Sequence, residues 1–318
     1  MDVDRRDVLV GMGAVAMGVA ATGVASSAGA TEPAQGDARA ASSASGAAGT
    51  TYVDFNECVR RTLRMDCDVI GIKFYESLDD VPDDAVHPRA DRDIHVATCQ
   101  AYAMARYNGQ TVCMTKEDEW CWAPLVGFGQ VDCSEGTEAF DTIVKYLMIQ
   151  DEEAARRFYS EDYPRFELGK YSAYVVAPLS SISFDPDVVM VYADPFKINW
   201  LCLNAKHLDG KVVETHIDGI DSCVYEMVNT MTLQDYQVCF PDCGEIVRAR
   251  AKQTDAVFTI PSSKLQEFMD CVTTWGQQDF TFNFEVQYEY PVDYTRPPFY
   301  NEVFEKWGLD KGEDWALG

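Results

Sequence analysis

The chain has 318 residues, 47% of them hydrophobic, with 52 acidic against 26 basic side chains and a net charge of -26. That length and apolar content support a substantial buried core in one large domain or two small ones. The acidic excess excludes nucleic acid as a partner and disfavours docking on an anionic membrane face. Eleven cysteines are many for a reduced cytoplasmic enzyme and few for a disulfide miniprotein. Their odd number leaves at least one thiol free if all pairing is intramolecular.

Residues 1–30 read as an address. Arg5-Arg6 precede Asp7-Val8-Leu9, an apolar Ala/Gly run follows, and Ala28-Gly29-Ala30 sets small residues where a signal peptidase inspects. The stretch resembles a twin-arginine export signal, although Asp2, Asp4 and Asp7 cancel the usual positive charge of its start. The resemblance implies the twin-arginine export machinery as a partner and a place across the cytoplasmic membrane, in the periplasm or at the cell surface. Left uncleaved, the segment would be a single membrane anchor. Residues 31–50 are Ala, Ser and Gly with scattered charge, too apolar-poor to offset their ordering entropy, and are expected to be a disordered linker. One domain is expected over 51–318.

Asp54 to Met65 carries Phe55, Cys58, Val59 and Leu63 at helical spacing, which predicts a helix with Cys58 on its apolar face. Asp68 to Tyr75 is a central strand, interrupted by Lys73. The acidic run Glu76 to Asp84 lacks the alternating ligands and glycine of a calcium loop and reads as a solvated turn. Thr98 is a candidate N-cap for a helix from Cys99 to Asn108-Gly109, with Arg106 at its surface. A thiol in that first turn faces free N–H groups and the positive helix end, which favour thiolate. His95, four residues earlier, is a ligand only if the helix starts sooner. Strands are expected at Gln110–Thr115 and Lys170–Ala177, a sheltered corner at Trp120–Gly129, and an amphipathic helix at Gly136–Ile149.

The second half repeats this order. Strands are expected at Phe184–Ala193, Val212–Asp218, Tyr236–Phe240, Asp255–Ile260 and Phe280–Tyr290, and helices at Phe196–Gly210, after Ser222-Cys223, at Ser262–Trp275 and at Asn301–Trp307. Pro241 to Gly244 reads as a turn presenting Cys243, and Ser262–Trp275 stands where Gly136–Ile149 does in the first half. Arg248 and Arg250 share a face if their run is extended. The cysteines themselves recur, as C-x13-C-x7-C from Cys99 and C-x15-C-x3-C from Cys223, each behind a hydroxyl residue. The expected fold class is therefore α/β, with mixed α+β as the alternative, built from two pseudo-repeated halves of about 68–178 and 187–290 within one compact domain.

The strand D-V-I-G-I-K-F from Asp68, the helix from Cys99 to Asn108-Gly109, and Cys121 before A-P-L-V-G-F-G resemble a known family, as do P-D-V-V from Pro186, the Ser222-Cys223 helix, and Cys243-Gly244 ahead of Arg248. It is the family of domain of unknown function 169, and the resemblance runs from about Phe55 to Trp275. It implies an architecture without an assigned activity, with Cys99, Cys121, Cys223 and Cys243 falling where the family pattern shows cysteine.

Three functions follow for weighing. Four thiolates from two halves could close a zinc site or an iron–sulfur cluster at Cys99, Cys121, Cys223 and Cys243, with Lys73, Arg248 and Arg250 as accessory candidates, although no C-x2-C occurs. Cys99 or Cys223 could be an activated thiolate in a thiol-redox protein. Alternatively the chain is a non-enzymatic exported ligand-binding protein held by disulfides. Whether it is an enzyme stays open. No Ser-His-Asp order, nucleophile elbow, phosphate loop or dinucleotide fingerprint is present, and the histidines His87, His95, His207 and His216 are dispersed.

Overall fold

A computed structural model describes residues 49–276 except 147–148, 216 and 218–220. The expected strand at Phe280–Tyr290, the helix at Asn301–Trp307 and the export signal lie outside the described residues.

Six apolar runs become six strands: β1 (Ile70–Tyr75), β2 (Val112–Met114), β3 (Ala173–Pro178), β4 (Val188–Ala193), β5 (Gln237–Cys239) and β6 (Ala256–Pro261). They form one sheet in the order β2-β3-β1-β4-β6-β5, and every pairing is antiparallel. Read outward from the β1/β4 junction, each half runs first, third, second strand, so the sheet has a pseudo-two-fold axis between Ile70–Ile72 and Val188–Met190. The class is thus the mixed α+β form of the expected fold. The sequence pointed toward α/β because V-V-M-V-Y-A and A-Y-V-V-A-P are buried throughout, as strands of a parallel sheet are. Here an antiparallel sheet is covered on both faces, which produces the same continuous apolar run.

Side chains alternate across the sheet. Ile72, Phe74, Tyr174, Val176, Met190 and Tyr192 point to one face, where α3 (Thr98–Asn108) and α8 (Ser222–Leu233) cover them. Val189, Val191, Phe258 and Ile260 point to the other, against α1 (Tyr52–Thr62), α7 (Pro195–Asp209) and α10 (Ser262–Gly276). Each large apolar side chain buried there contributes roughly 1.5–3 kcal/mol. The remaining helices are α2 (Pro88–Arg92), α4 (Trp122–Gly127), α5 (Glu138–Tyr146), α6 (Glu152–Arg157) and α9 (Cys243–Arg248). Helix α3 stops where Gly109 turns left-handed at φ 66°.

Two glycines mark close approaches. A Cβ at Gly71 in β1 would stand 2.5 Å from Ile182 Cδ1, so the crossover from β3 to β4 closes over the strand only because that atom is missing. A Cβ at Gly127 would stand 2.2 Å from Val224 Cγ1, which sets how tightly α4 packs on α8.

Four expectations differ. Val212–Thr215 is not a strand: the hydroxyl of Thr215 accepts from Val238 N–H at 3.0 Å and donates to its carbonyl, so a side chain covers the edge of β5. Pro241–Gly244 is not a free turn, because Asp242 caps α9 by accepting from Glu245 N–H at 2.9 Å, and Cys243 is already helical. Arg248 ends that helix while Arg250 sits at φ 59°, so the two do not share an extended face. Finally, α5 packs on α4 and α6 whereas α10 packs on α1 and α7, so those helices are not counterparts.

Candidate functional site: a thiol and carboxylate cluster between the two halves

Helices α3 and α8 begin alike, with a hydroxyl residue followed by a cysteine: Thr98-Cys99 and Ser222-Cys223. Both cysteines are buried in one core cluster on the same sheet face, and the half-buried Cys121 packs against it. Tyr102, one turn along α3, donates its hydroxyl to the Cys223 carbonyl at 2.9 Å and ties the two helix starts together.

Each helix start holds a buried carboxylate. Glu119 accepts from Thr98 N–H at 2.8 Å and Thr98 Oγ1 at 2.7 Å on one oxygen, and from Cys121 N–H at 2.7 Å on the other. Thr98 Oγ1 also lies 2.5 Å from the Tyr174 hydroxyl. Glu245 accepts from Ser222 Oγ at 2.5 Å and from Asp242 N–H at 3.2 Å, while its other oxygen accepts from the Tyr192 hydroxyl at 2.7 Å. Each half therefore builds one hydroxyl–carboxylate–tyrosine unit. The tyrosines come from β3 and β4, which are not equivalent strands, so the symmetry resides in the helix starts. The capping residue of α3 is Ala97, and Thr98 is free to hold Glu119 because it is the first helical residue rather than the cap.

Burial governs the protonation of this cluster. It raises Glu119 from 4.5 to about 7, even against the donors from Thr98 and Cys121. It also raises Glu245, with Asp242 adding to the shift. Cys99 goes up through burial first, then through Glu245, Asp242, Cys121 and Glu119; Cys223 goes up through burial, then Glu245, Cys99, Asp242 and Cys121. Burial therefore opposes the thiolate expected at the start of α3. A helix end contributes about 0.3–1 kcal/mol, while full burial shifts a group by up to about 3–5 units at 1.36 kcal/mol each. After burial, Glu245 weighs most on both thiols, and Asp242 and Cys121 add to each.

Three of the four sequence-predicted cysteines, Cys99, Cys121 and Cys223, thus share one neighbourhood. Cys243, at the first turn of α9, is exposed. Lys73 lies between Ile72 and Phe74, whose side chains face the thiols, so it points to the opposite face, 5.7 Å from the Tyr75 ring. Arg248 stacks on Trp120 at 4.7 Å and Arg250 on Tyr107 at 3.9 Å. His95 is exposed ahead of α3. No two of the eleven cysteines are joined as a disulfide. As the side chains are placed, no three His, Cys, Asp or Glu among the described residues form a metal-holding group.

The sequence reading missed Glu119, Glu245 and the tyrosines. A signal was present: an acid stands two residues before Cys121 and another two residues after Cys243. It was hidden among 52 acidic residues.

The sequence model of the family DUF169, described as uncharacterised ArCR, matches residues 59–270. No curated protein and no solved structure matches the chain.

Proposed function

Since the chain belongs to the uncharacterised family DUF169, a function has to come from its own residues, and we propose that it is an exported protein that takes up a thiophilic metal. The metal is zinc or the iron of an iron–sulfur cluster, with Cys99, Cys121 and Cys223 as sulfur donors and Cys243 at the exposed rim. The observation that carries this reading is the company those thiols keep. Burial aside, Glu245 acts most strongly on both Cys99 and Cys223, with Asp242 adding to each, so the pocket disfavours thiolate charge in the absence of a cation. Thiolate sulfur is the donor chemistry that suits zinc and iron–sulfur clusters.

The chain's own residues divide the work. Thr98 and Ser222 hold the carboxyl groups of Glu119 and Glu245 in place, and Tyr102 keeps the two helix starts in register. Phe74, Phe128, Phe166 and Tyr174 form an aromatic wall over the same sheet face and exclude water. Where they stand the sulfurs do not close a metal-holding group; a metal held by Cys99, Cys121 and Cys223 would need them as deprotonated donors. Such a bound group would supply Lewis acidity or electron transfer.

The test is metal analysis and an absorption spectrum on full-length protein recovered from the cytoplasm without oxygen. Stoichiometric zinc, or iron with broad visible absorbance, supports the reading, with loss of metal in Cys121→Ser and Cys223→Ser. Metal-free protein that also fails to take up zinc would end it, and disulfides found in its place would favour a cystine-stabilised binding protein. Export is tested separately: Arg5→Lys with Arg6→Lys should hold the precursor inside the cell, and unchanged export would remove the twin-arginine route.

A further inference from the structure

Away from the thiols, the far end of α3 meets the far end of β4 at a cavity of about 160 Å³. Four cations line it, Arg64, Arg106, Lys197 and Lys252, against three acids, Asp66, Asp194 and Asp255. In a chain with two acids for every base this is an inverted balance. Lys252 pairs with Asp66 at 3.1 Å and Lys197 with Asp194 at 3.0 Å.

Arg106 is different. It was expected at the surface, yet it is only 3% exposed, its guanidinium lying 3.7 Å over the Tyr192 ring and 4.9 Å from the Tyr107 ring. Its Nε has no hydrogen-bond partner. One terminal nitrogen donates to Tyr107 Oη at 3.3 Å and to Cys67 Sγ at 3.7 Å, while the carboxylate of Asp255, at 3.8 Å, is too far for a charge-assisted hydrogen bond. A buried guanidinium without a close anion is costly, and an unsatisfied buried donor of this kind calls for an ion or water.

We propose that this cavity binds a small tetrahedral oxyanion, of the phosphate or sulfate type, clamped between the buried Arg106 and the half-exposed Lys252. The volume corresponds to about five waters, room for one such group. Planar guanidinium and mobile ammonium together match tetrahedral oxygen better than either alone. The pocket also touches the thiol site through one residue, because Tyr192 stacks on Arg106 with its ring and holds Glu245 with its hydroxyl. The proposal does not depend on metal at the thiols.

The experiment is calorimetric titration of the full-length protein with inorganic phosphate and, separately, sulfate, at ionic strength fixed with chloride. Saturable binding of either anion at up to about 20 mM is expected, with Lys252→Gln weakening it about tenfold and Arg106→Gln abolishing it. Lys170→Gln, an exposed cation outside the cavity, should leave it unchanged. Should Arg106→Gln fail to fold, Lys252→Gln decides alone. No saturable heat from wild-type protein with either anion, or equal weakening by Lys170→Gln, overturns the proposal.

Discussion

Replacing Glu119 by Gln isolates the titration of one buried carboxyl. In the folded chain its value is raised from 4.5 to about 7, so the folded state binds the proton more tightly than the unfolded state does. For an acid shifted upward the linkage runs against stability as pH rises: there is no cost below 4.5, a growing cost between 4.5 and 7, and a constant one above. A shift of about 2.5 units at 1.36 kcal/mol each gives a loss of about 3 kcal/mol across that window. Glu119→Gln cannot ionise and should lose none of it. The substitution has its own cost, because one amide oxygen replaces two carboxyl oxygens that accept from Thr98 and Cys121, and about 1–3 kcal/mol is expected at low pH. The gap between wild type and variant should therefore narrow or invert from pH 4.5 to 7.5. Urea unfolding followed by tryptophan fluorescence, with slopes checked for constancy, measures it. Two stability curves running parallel through that range would refute the claim that burial controls this site.

Other outcomes follow from the same geometry. A thiol reagent at pH 8 should modify the exposed Cys243 in the native protein, while Cys99, Cys223 and Cys239, buried with their thiols pushed up, react only on unfolding; mass mapping of a time course reads this. Gly127→Ala should lower the urea midpoint by the equivalent of about 1–3 kcal/mol, and Val224→Ala in the same chain should recover part of that loss by removing the clashing methyl.

Much of the fold could be read from the residues, because the elements carry their own punctuation. The Asn108-Gly109 and Asp209-Gly210 steps end α3 and α7 with left-handed glycines, as their sequence signals require. The paired hydroxyl–cysteine starts of α3 and α8 led directly to the junction of the halves. Strand direction was not readable, since burial on both faces erases the alternation that distinguishes an antiparallel sheet. Arg106 was read as surface because charge at helical spacing is normally solvated; only the tertiary meeting with Tyr192 puts it inside. Glu119 and Glu245 look like any other acids of this chain until Thr98 and Ser222 fold onto them.

If sulfur from both halves serves a single metal, X-ray absorption at the edge of the metal carried by the full-length protein reads those donors. A coordination sphere dominated by sulfur is expected, at about 2.3 Å for zinc, and poorer in sulfur in Cys223→Ser. A shell of oxygen and nitrogen alone, or one that Cys223→Ser leaves unchanged, would contradict it.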